Sequence, residues 1–194
     1  MMFRPELIGL SGYARSGKDT VARIMQDHFG YESAAIADAL RNILYATDTD
    51  VRRAVDAHGW EATKVAGTET REKLQRLGAA LRDEFGNDHM IHHALKPFND
   101  GEIEHLVISD VRTVAEAAAI TQLGGYIIRI DRPGVGPANH DVTERMLPSV
   151  DHIIVNDGSV VDMIPAVEQA LSVLWEQTTG VDAEGYDIEV TWHG

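Results

Sequence analysis

Gly12, Gly17 and Lys18 stand in the order G-x-x-x-x-G-K, with Tyr13, Ala14, Arg15 and Ser16 between the glycines. Residues of these types at this spacing can hold a chain of phosphates. Glycines let the backbone turn so that successive N–H groups converge on one anion. A helix that begins here adds the partial positive charge of its N-terminus. A lysine at that point reaches the outer phosphates and follows charge as it moves in transfer. The candidate phosphate-binding set is Gly12, Ala14, Arg15, Ser16, Gly17, Lys18, Asp19 and Thr20, with Lys18 and Arg15 as candidate catalytic cations. The place after the lysine usually holds Ser or Thr; here it is Asp19, and Thr20 follows. A carboxylate beside a polyphosphate is costly without a cation. Asp19 and Thr20 are therefore candidate ligands for Mg2+ bound with ATP, directly or through water. Asp19 could also contact an incoming substrate or simply favour the helix dipole.

Such a loop works only between a strand and a helix, and the patterning supplies both. Residues 6–10 form a short apolar run, read as a buried strand. Val21, Ile24, Met25, His28 and Phe29 recur at helical spacing, and Gly30 would stop that helix. A second strand is expected over 33–36, and Asp38 is placed as the N-cap of a helix through Tyr45. Residues 47–64 are expected to be helical in part. Leu74, Leu77, Leu81 and Phe85 form an apolar stripe on a helix that Gly86 ends, and a shorter helix is expected over 88–95 with Pro97 beyond it. The second half alternates more clearly. Strands are expected over 103–109, 126–130 and 152–155, and helices over 113–123 and 159–175. Gly124 and Gly125 form a turn, and a Pro/Gly-rich loop spans 132–148. Alternation of this kind predicts an α/β fold, a parallel sheet with helices on both faces. One domain over 1–177 is expected, with a tail over 178–194 that could add an edge strand at 188–192.

The 194 residues carry 17 Lys and Arg against 31 Asp and Glu, a net charge of −14. That charge argues against a nucleic-acid polymer or an anionic membrane as partner. No apolar run is long enough to span a membrane. The absence of cysteine excludes disulfides, thiolate metal sites and a cysteine nucleophile, and fits a cytoplasmic setting. The charge is uneven: no Lys or Arg follows Arg145. The residues after it are expected to provide scaffold rather than phosphate contacts.

Four segments, in order, resemble the phage-type deoxynucleoside monophosphate kinases. They are Leu10 to Thr20; Arg71, Gln75 and Gly78; Ser109 to Arg112 with Glu116; and Gly124 to Pro133 followed by His140 and Glu144. The resemblance implies a P-loop NTPase fold of the adenylate-kinase type, with a five-stranded parallel sheet. It implies substrate-binding helices inserted over about 38–96 and a lid over about 132–148. It assigns the monophosphate site to Asp110, Arg112 and Glu116 and to the helix bearing Arg71, Gln75 and Gly78. The family often has Thr after that glycine and an aromatic residue further on; Ala79 and Met90 or Ile91 stand here. A phage gene expressed in host cytoplasm is implied, and a homodimer is compatible.

The residues themselves agree with that placement. Ligands of open parallel sheets lie beyond the carboxyl ends of the strands, so Asp110 and Arg112 should share a crevice with Lys18. Arg71 and Gln75 fall opposite the leucine stripe. Asp110 could instead cap the following helix. The expected reaction moves the γ-phosphoryl group of ATP to a deoxynucleoside monophosphate. Asp38, Arg41, Arg71 and Arg112 would serve the acceptor, and Arg132 and Arg145 would close over the transfer. A kinase for another small metabolite, or an ATP-binding regulatory protein, are the alternatives. His89, His92 and His93 are read as surface or pocket histidines rather than metal ligands, and Trp60, Trp175 and Trp192 as core or interface anchors.

Overall fold

The computed structural model describes residues 4–63, 65, 68–86, 89–136 and 147–181. The chain runs β1 (Leu7–Ser11), α1 (Lys18–Phe29), β2 (Glu32–Ala34), α2 (Ala37–Thr47), α3 (Thr49–Thr63), α4 (Glu69–Phe85) and α5 (His89–Asn99). It continues β3 (Leu106–Ile108), α6 (Val114–Gln122), β4 (Tyr126–Asp131), β5 (His152–Val155) and α7 (Val160–Thr179). The five strands make one sheet in the order β2-β3-β1-β4-β5, and every pairing is parallel. β1 therefore lies in the middle, and all five of its residues are buried. A strand covered on both faces must be apolar throughout, which is what the run from Leu7 to Leu10 supplies.

The described chain divides into two compact units. Ala35–Lys96 form one, and the sheet with α1, α6 and α7 forms the other. In the sheet unit, Val21, Ile24 and Met25 of α1 pack with Val167, Leu171 and Leu174 of α7 against Ile8, Leu10, Ile128 and Ile130. Each such side chain contributes about 1.5–3 kcal/mol by leaving water. α6 contacts β1 and β4. Its N-terminus carries a capping box, in which Thr113 accepts from the Glu116 N–H and Glu116 reaches back to the Thr113 N–H. Ser159 and Asp162 make the same arrangement on α7. In the helical unit, Lys73 of α4 pairs with Asp48 at 2.7 Å and with Glu69 at 2.9 Å.

Several expectations are corrected. Asp38 is not the N-cap of α2: that place is Ile36, and Asp38 sits in the first turn, where its carboxylate accepts from the Ala35 N–H at 2.9 Å. A carboxylate one turn in can reach back to an orphan donor as well as a true cap can. β2 and β3 are shorter than expected. α5 runs through Pro97 to Asn99; in the last turn the proline removes only one helical bond. α7 carries Pro165 in its second turn and continues to Thr179, where Gly180 ends it in the left-handed region. α3 is broken at Gly59. His28 is exposed rather than part of the buried stripe of α1, and on α4 Phe85 is exposed. Trp60 and Trp175 are half-buried. Trp192, the tail strand at 188–192 and lid residues 137–146 lie outside the described residues.

Candidate functional site

The loop between β1 and α1 is shaped by its neighbours at two points. A Cβ at Gly12 would lie 2.4 Å from the Ile130 carbonyl oxygen, and one at Gly17 would lie 2.3 Å from the Asn156 side-chain nitrogen. Neither position has room for a side chain, and both adopt positive φ, 134° and 108°. Arg15 also sits in the left-handed region at φ 66°, an uncommon conformation for a residue with a side chain. A right-to-left alternation of this kind turns successive N–H groups toward one point.

Gly17 is the N-cap of α1 and supplies no side-chain cap. The first helical bond is from the Val21 N–H to the Gly17 carbonyl at 3.0 Å. The N–H groups of Gly17, Asp19 and Thr20 have no partner among the described residues. An uncapped helix start with free donors is suited to receive an anion. Lys18 lies over it, its ammonium donating to the carbonyls of Gly12 and Tyr13 at 2.8 Å each. Ser16 is 1% exposed and its hydroxyl has no partner among the described residues. Ala14 and Arg15 are exposed on the rim.

The opposite wall of the loop was not anticipated from the sequence. Asn156, directly after β5, donates its side-chain N–H to the Ser16 carbonyl at 2.8 Å, and its backbone N–H donates to the Asp131 carbonyl at 2.7 Å. A signal was available: Asn156, Asp157 and Gly158 form a polar triplet at the carboxyl end of a parallel strand, where ligands gather.

Beyond β3, Asp110 is half-buried and Arg112 exposed. Glu116 does not extend into open space; its carboxylate accepts from the backbone N–H of Arg112 at 2.7 Å and of Thr113 at 2.9 Å. Burial pushes the Glu116 carboxyl above its ordinary pKa, the two backbone donors oppose that, and the Asp110 charge adds to it. Asp110 is not the cap of α6, since Thr113 holds that place. Arg129 belongs to β4. It makes a two-pronged pair with Asp131, at 2.9 and 3.1 Å. Arg132 is exposed just beyond the strand, and Arg145, His140 and Glu144 lie outside the described residues.

In the helical unit, Arg41 is held by Asp38 at 2.7 Å. Arg71 and Gln75 are exposed on α4. Gly78 is buried, and a Cβ there would press on Leu40 at 3.2 Å, so it permits close packing of α2 on α4. The same unit holds an open pocket of about 390 Å³ lined by Ala39, Asn42, Ile43, Leu81, Met90 and His93, with His89 at its rim stacked on Phe85 at 4.8 Å. No group of three or more metal-binding side chains occurs among the described residues.

No protein-family profile matches the chain. A protein of Acanthamoeba polyphaga mimivirus assigned as a deoxynucleotide monophosphate kinase is 31% identical over 173 residues, covering 79% of this chain and 90% of the relative. The chain belongs to the deoxynucleotide monophosphate kinase family. The deoxynucleotide monophosphate kinase of Enterobacteria phage T4 is 32% identical over 82 residues, 41% of this chain and 34% of the phage enzyme. In fold, the kinase is similar to dephospho-CoA kinase from Campylobacter jejuni, with a TM-score of 0.53 at 12% identity, covering 90% of this chain and 99% of that one. No helix among the described residues of the kinase is long and apolar enough to cross a membrane.

Proposed function

We propose that the protein transfers the γ-phosphoryl group of ATP to the phosphate of a deoxynucleoside monophosphate, releasing ADP and the deoxynucleoside diphosphate. The observation that carries this reading is the uncapped start of α1, where the loop from Gly12 to Thr20 offers free backbone donors beneath Lys18. The attacking atom is a phosphate oxygen already ionised near neutral pH, so the site needs alignment and charge neutralisation rather than a strong base.

Lys18 would exchange its loop carbonyls for the outer phosphates of ATP, and the N–H groups of Gly17, Asp19 and Thr20 would hold the phosphate chain. Asp19 is exposed and Thr20 half-buried, and neither side chain bonds elsewhere among the described residues. Two hard oxygen donors on the first helical turn suit Mg2+. Mg2+ bound there with ATP supplies charge neutralisation of the phosphates.

For the acceptor, Arg112 and Asp110 serve from the sheet unit, with Glu116 acting through the Arg112 backbone. Arg41, oriented by Asp38, and Arg71 with Gln75 are the acceptor candidates that the helical unit carries by itself. The pocket bearing Asn42, His89 and His93 is of a size and polarity to take a nucleobase, with apolar walls and a few hydrogen-bonding groups. Arg15, Arg132 and Arg145 are the further cations proposed to meet the transferring group. The mimivirus and T4 relatives support a virus-encoded enzyme at work in host cytoplasm, and the net charge of −14 supports small anions rather than a nucleic-acid polymer as partners.

The test is to incubate the protein with Mg-ATP and each deoxynucleoside monophosphate and to separate the products by ion-exchange chromatography. Diphosphate formed with at least one of them is expected. A folded protein that makes none would overturn the reading.

A further inference from the structure

We infer that Asn156 is a positioning residue for phosphoryl transfer, one that fixes the orientation of the Ser16–Gly17 peptide so that its N–H faces the phosphates. The inference rests on the proposed use of the loop for ATP. It begins with the peptide group. The unit is planar and trans, so the carbonyl of Ser16 and the N–H of Gly17 point in opposite directions. Whatever fixes one aims the other. The Ser16 carbonyl is fixed by the Asn156 side chain at 2.8 Å. The Gly17 N–H, on the far side, has no partner among the described residues.

Nothing else in the local chain would enforce that orientation. Gly17 can occupy either half of the φ range, so rotation of the peptide between Ser16 and Gly17 meets little resistance from a side chain. The rotated form would present a carbonyl oxygen to the anion in place of a donor. Asn156 is suited to prevent it. It is 8% exposed, and its backbone N–H is anchored to the Asp131 carbonyl at 2.7 Å, which ties it to the end of β4. Its amide orientation is set by chemistry, since a carbonyl partner can only accept. Its contact at the Gly17 Cα, where a Cβ would come within 2.3 Å of Asn156, completes the clamp.

Asn156→Ala and Asn156→Asp are read together. The second keeps shape and volume but replaces the donor by an acceptor and adds a charge that by itself disfavours a nearby polyphosphate. If Asn156 makes no orienting bond, Asn156→Ala binds Mg-ATP as wild type does. If it orients the peptide, the Asp variant is at least as impaired as Asn156→Ala, and it recovers as the pH is lowered and the new carboxyl gains a proton. The experiment measures Mg-ATP dissociation constants, and KM for both substrates, across pH for the three proteins. The expected result is about tenfold or greater weakening for Mg-ATP, the scale of one buried hydrogen bond, with KM for the monophosphate unchanged. Asn156→Ala binding Mg-ATP as tightly as wild type, or both KM values rising together, overturns the inference. The Gly17 amide resonance of the wild-type protein is a second measure that depends on no variant. It shifts on adding Mg-ATP and not on adding the monophosphate alone; an unmoved resonance at saturating Mg-ATP also overturns the inference. A wild-type protein that binds no ATP overturns the proposed function itself.

Discussion

Glu116 holds the backbone of Arg112: its carboxylate accepts the Arg112 N–H at 2.7 Å while completing the capping box of α6. One side chain thus sets both the start of a helix and the stem of an arginine proposed to bind the acceptor. Glu116→Ala should lower stability by about 1 kcal/mol through the lost cap. It should also raise KM for the monophosphate severalfold while leaving KM for ATP unchanged. Thermal melts and two-substrate kinetics check this, and equal changes in both KM values would tell against a role for Arg112.

Lys18 is expected to matter far more for rate than for folding. Its ammonium donates to the Gly12 and Tyr13 carbonyls of its own loop, contacts local in sequence, and Lys18→Ala should keep a cooperative melt. The turnover should fall by about two to three powers of ten, the usual loss when one donor to transition-state charge is removed. Single-turnover phosphoryl transfer is the measurement, and retention of more than a tenth of the wild-type rate would contradict the assignment.

Gly17→Ala meets two obstacles together, a positive φ and the Asn156 side chain. A strained backbone of this kind costs about 1–3 kcal/mol. The variant should melt lower than wild type and bind Mg-ATP poorly, whereas Gly101→Ala, at a φ of 74° but with nothing within 4 Å of the added Cβ, should leave Mg-ATP binding unchanged. Calorimetry on the two variants supplies the contrast.

Asp48 and Lys73 make the helical unit sensitive to acid. The hydrogen bond from Lys73, with help from the Val51 N–H, holds the Asp48 carboxyl below its ordinary value of 3.8. A carboxyl lowered in the folded state stabilises the fold above its unfolded pKa, and that contribution is lost as the pH falls through the folded value. Lys73 is raised above 10.5 by the Asp48 bond and then by Glu69, so its contribution is full below 10.5 and fades only as the pH rises beyond that. Lys73→Met should therefore be less stable than wild type near neutrality, and the difference should shrink as the pH drops below 3.8. Urea melts at several pH values measure it; a difference that stays constant into acid would show that packing, not charge, is responsible.

The pocket of the helical unit predicts base selectivity. Asn42→Ala and His93→Ala should alter KM for the four deoxynucleoside monophosphates unequally, by about tenfold for the base that loses a hydrogen bond. A uniform change across all four would place the base elsewhere.

Much of the sheet unit could be read from the chain because its information is local. Leu7 to Leu10 announce a buried strand, Gly12 to Lys18 carry their chemistry in consecutive residues, and Gly30 stops α1 where its φ of 66° is needed. Asn156 could not be read that way. It meets Ser16 across 140 positions of sequence, through the strand order of the folded sheet. Glu116 is a site candidate by resemblance alone, and its partners in the fold are backbone donors, which no side-chain pattern reveals. Asp38 misled because acceptors at the N-cap and inside the first turn satisfy the same donors. The stripe on α4 marks a helix correctly, yet its leucines are only half-buried, since helical spacing shows which face is apolar and not what covers it.

The chain leaves the sheet unit after Ala34 and returns to it at Pro97, and the strands on either side of the insertion, β2 and β3, are direct neighbours in register from Glu32 with Leu106 to Ala34 with Ile108. Residues 35–96 are thus a cassette between two fixed points. A donor segment from another kinase of this fold could be grafted between the same points without breaking a single rung of the sheet. Chimeras of that kind would test whether the segment sets the choice of acceptor, with residues 12–20 left untouched.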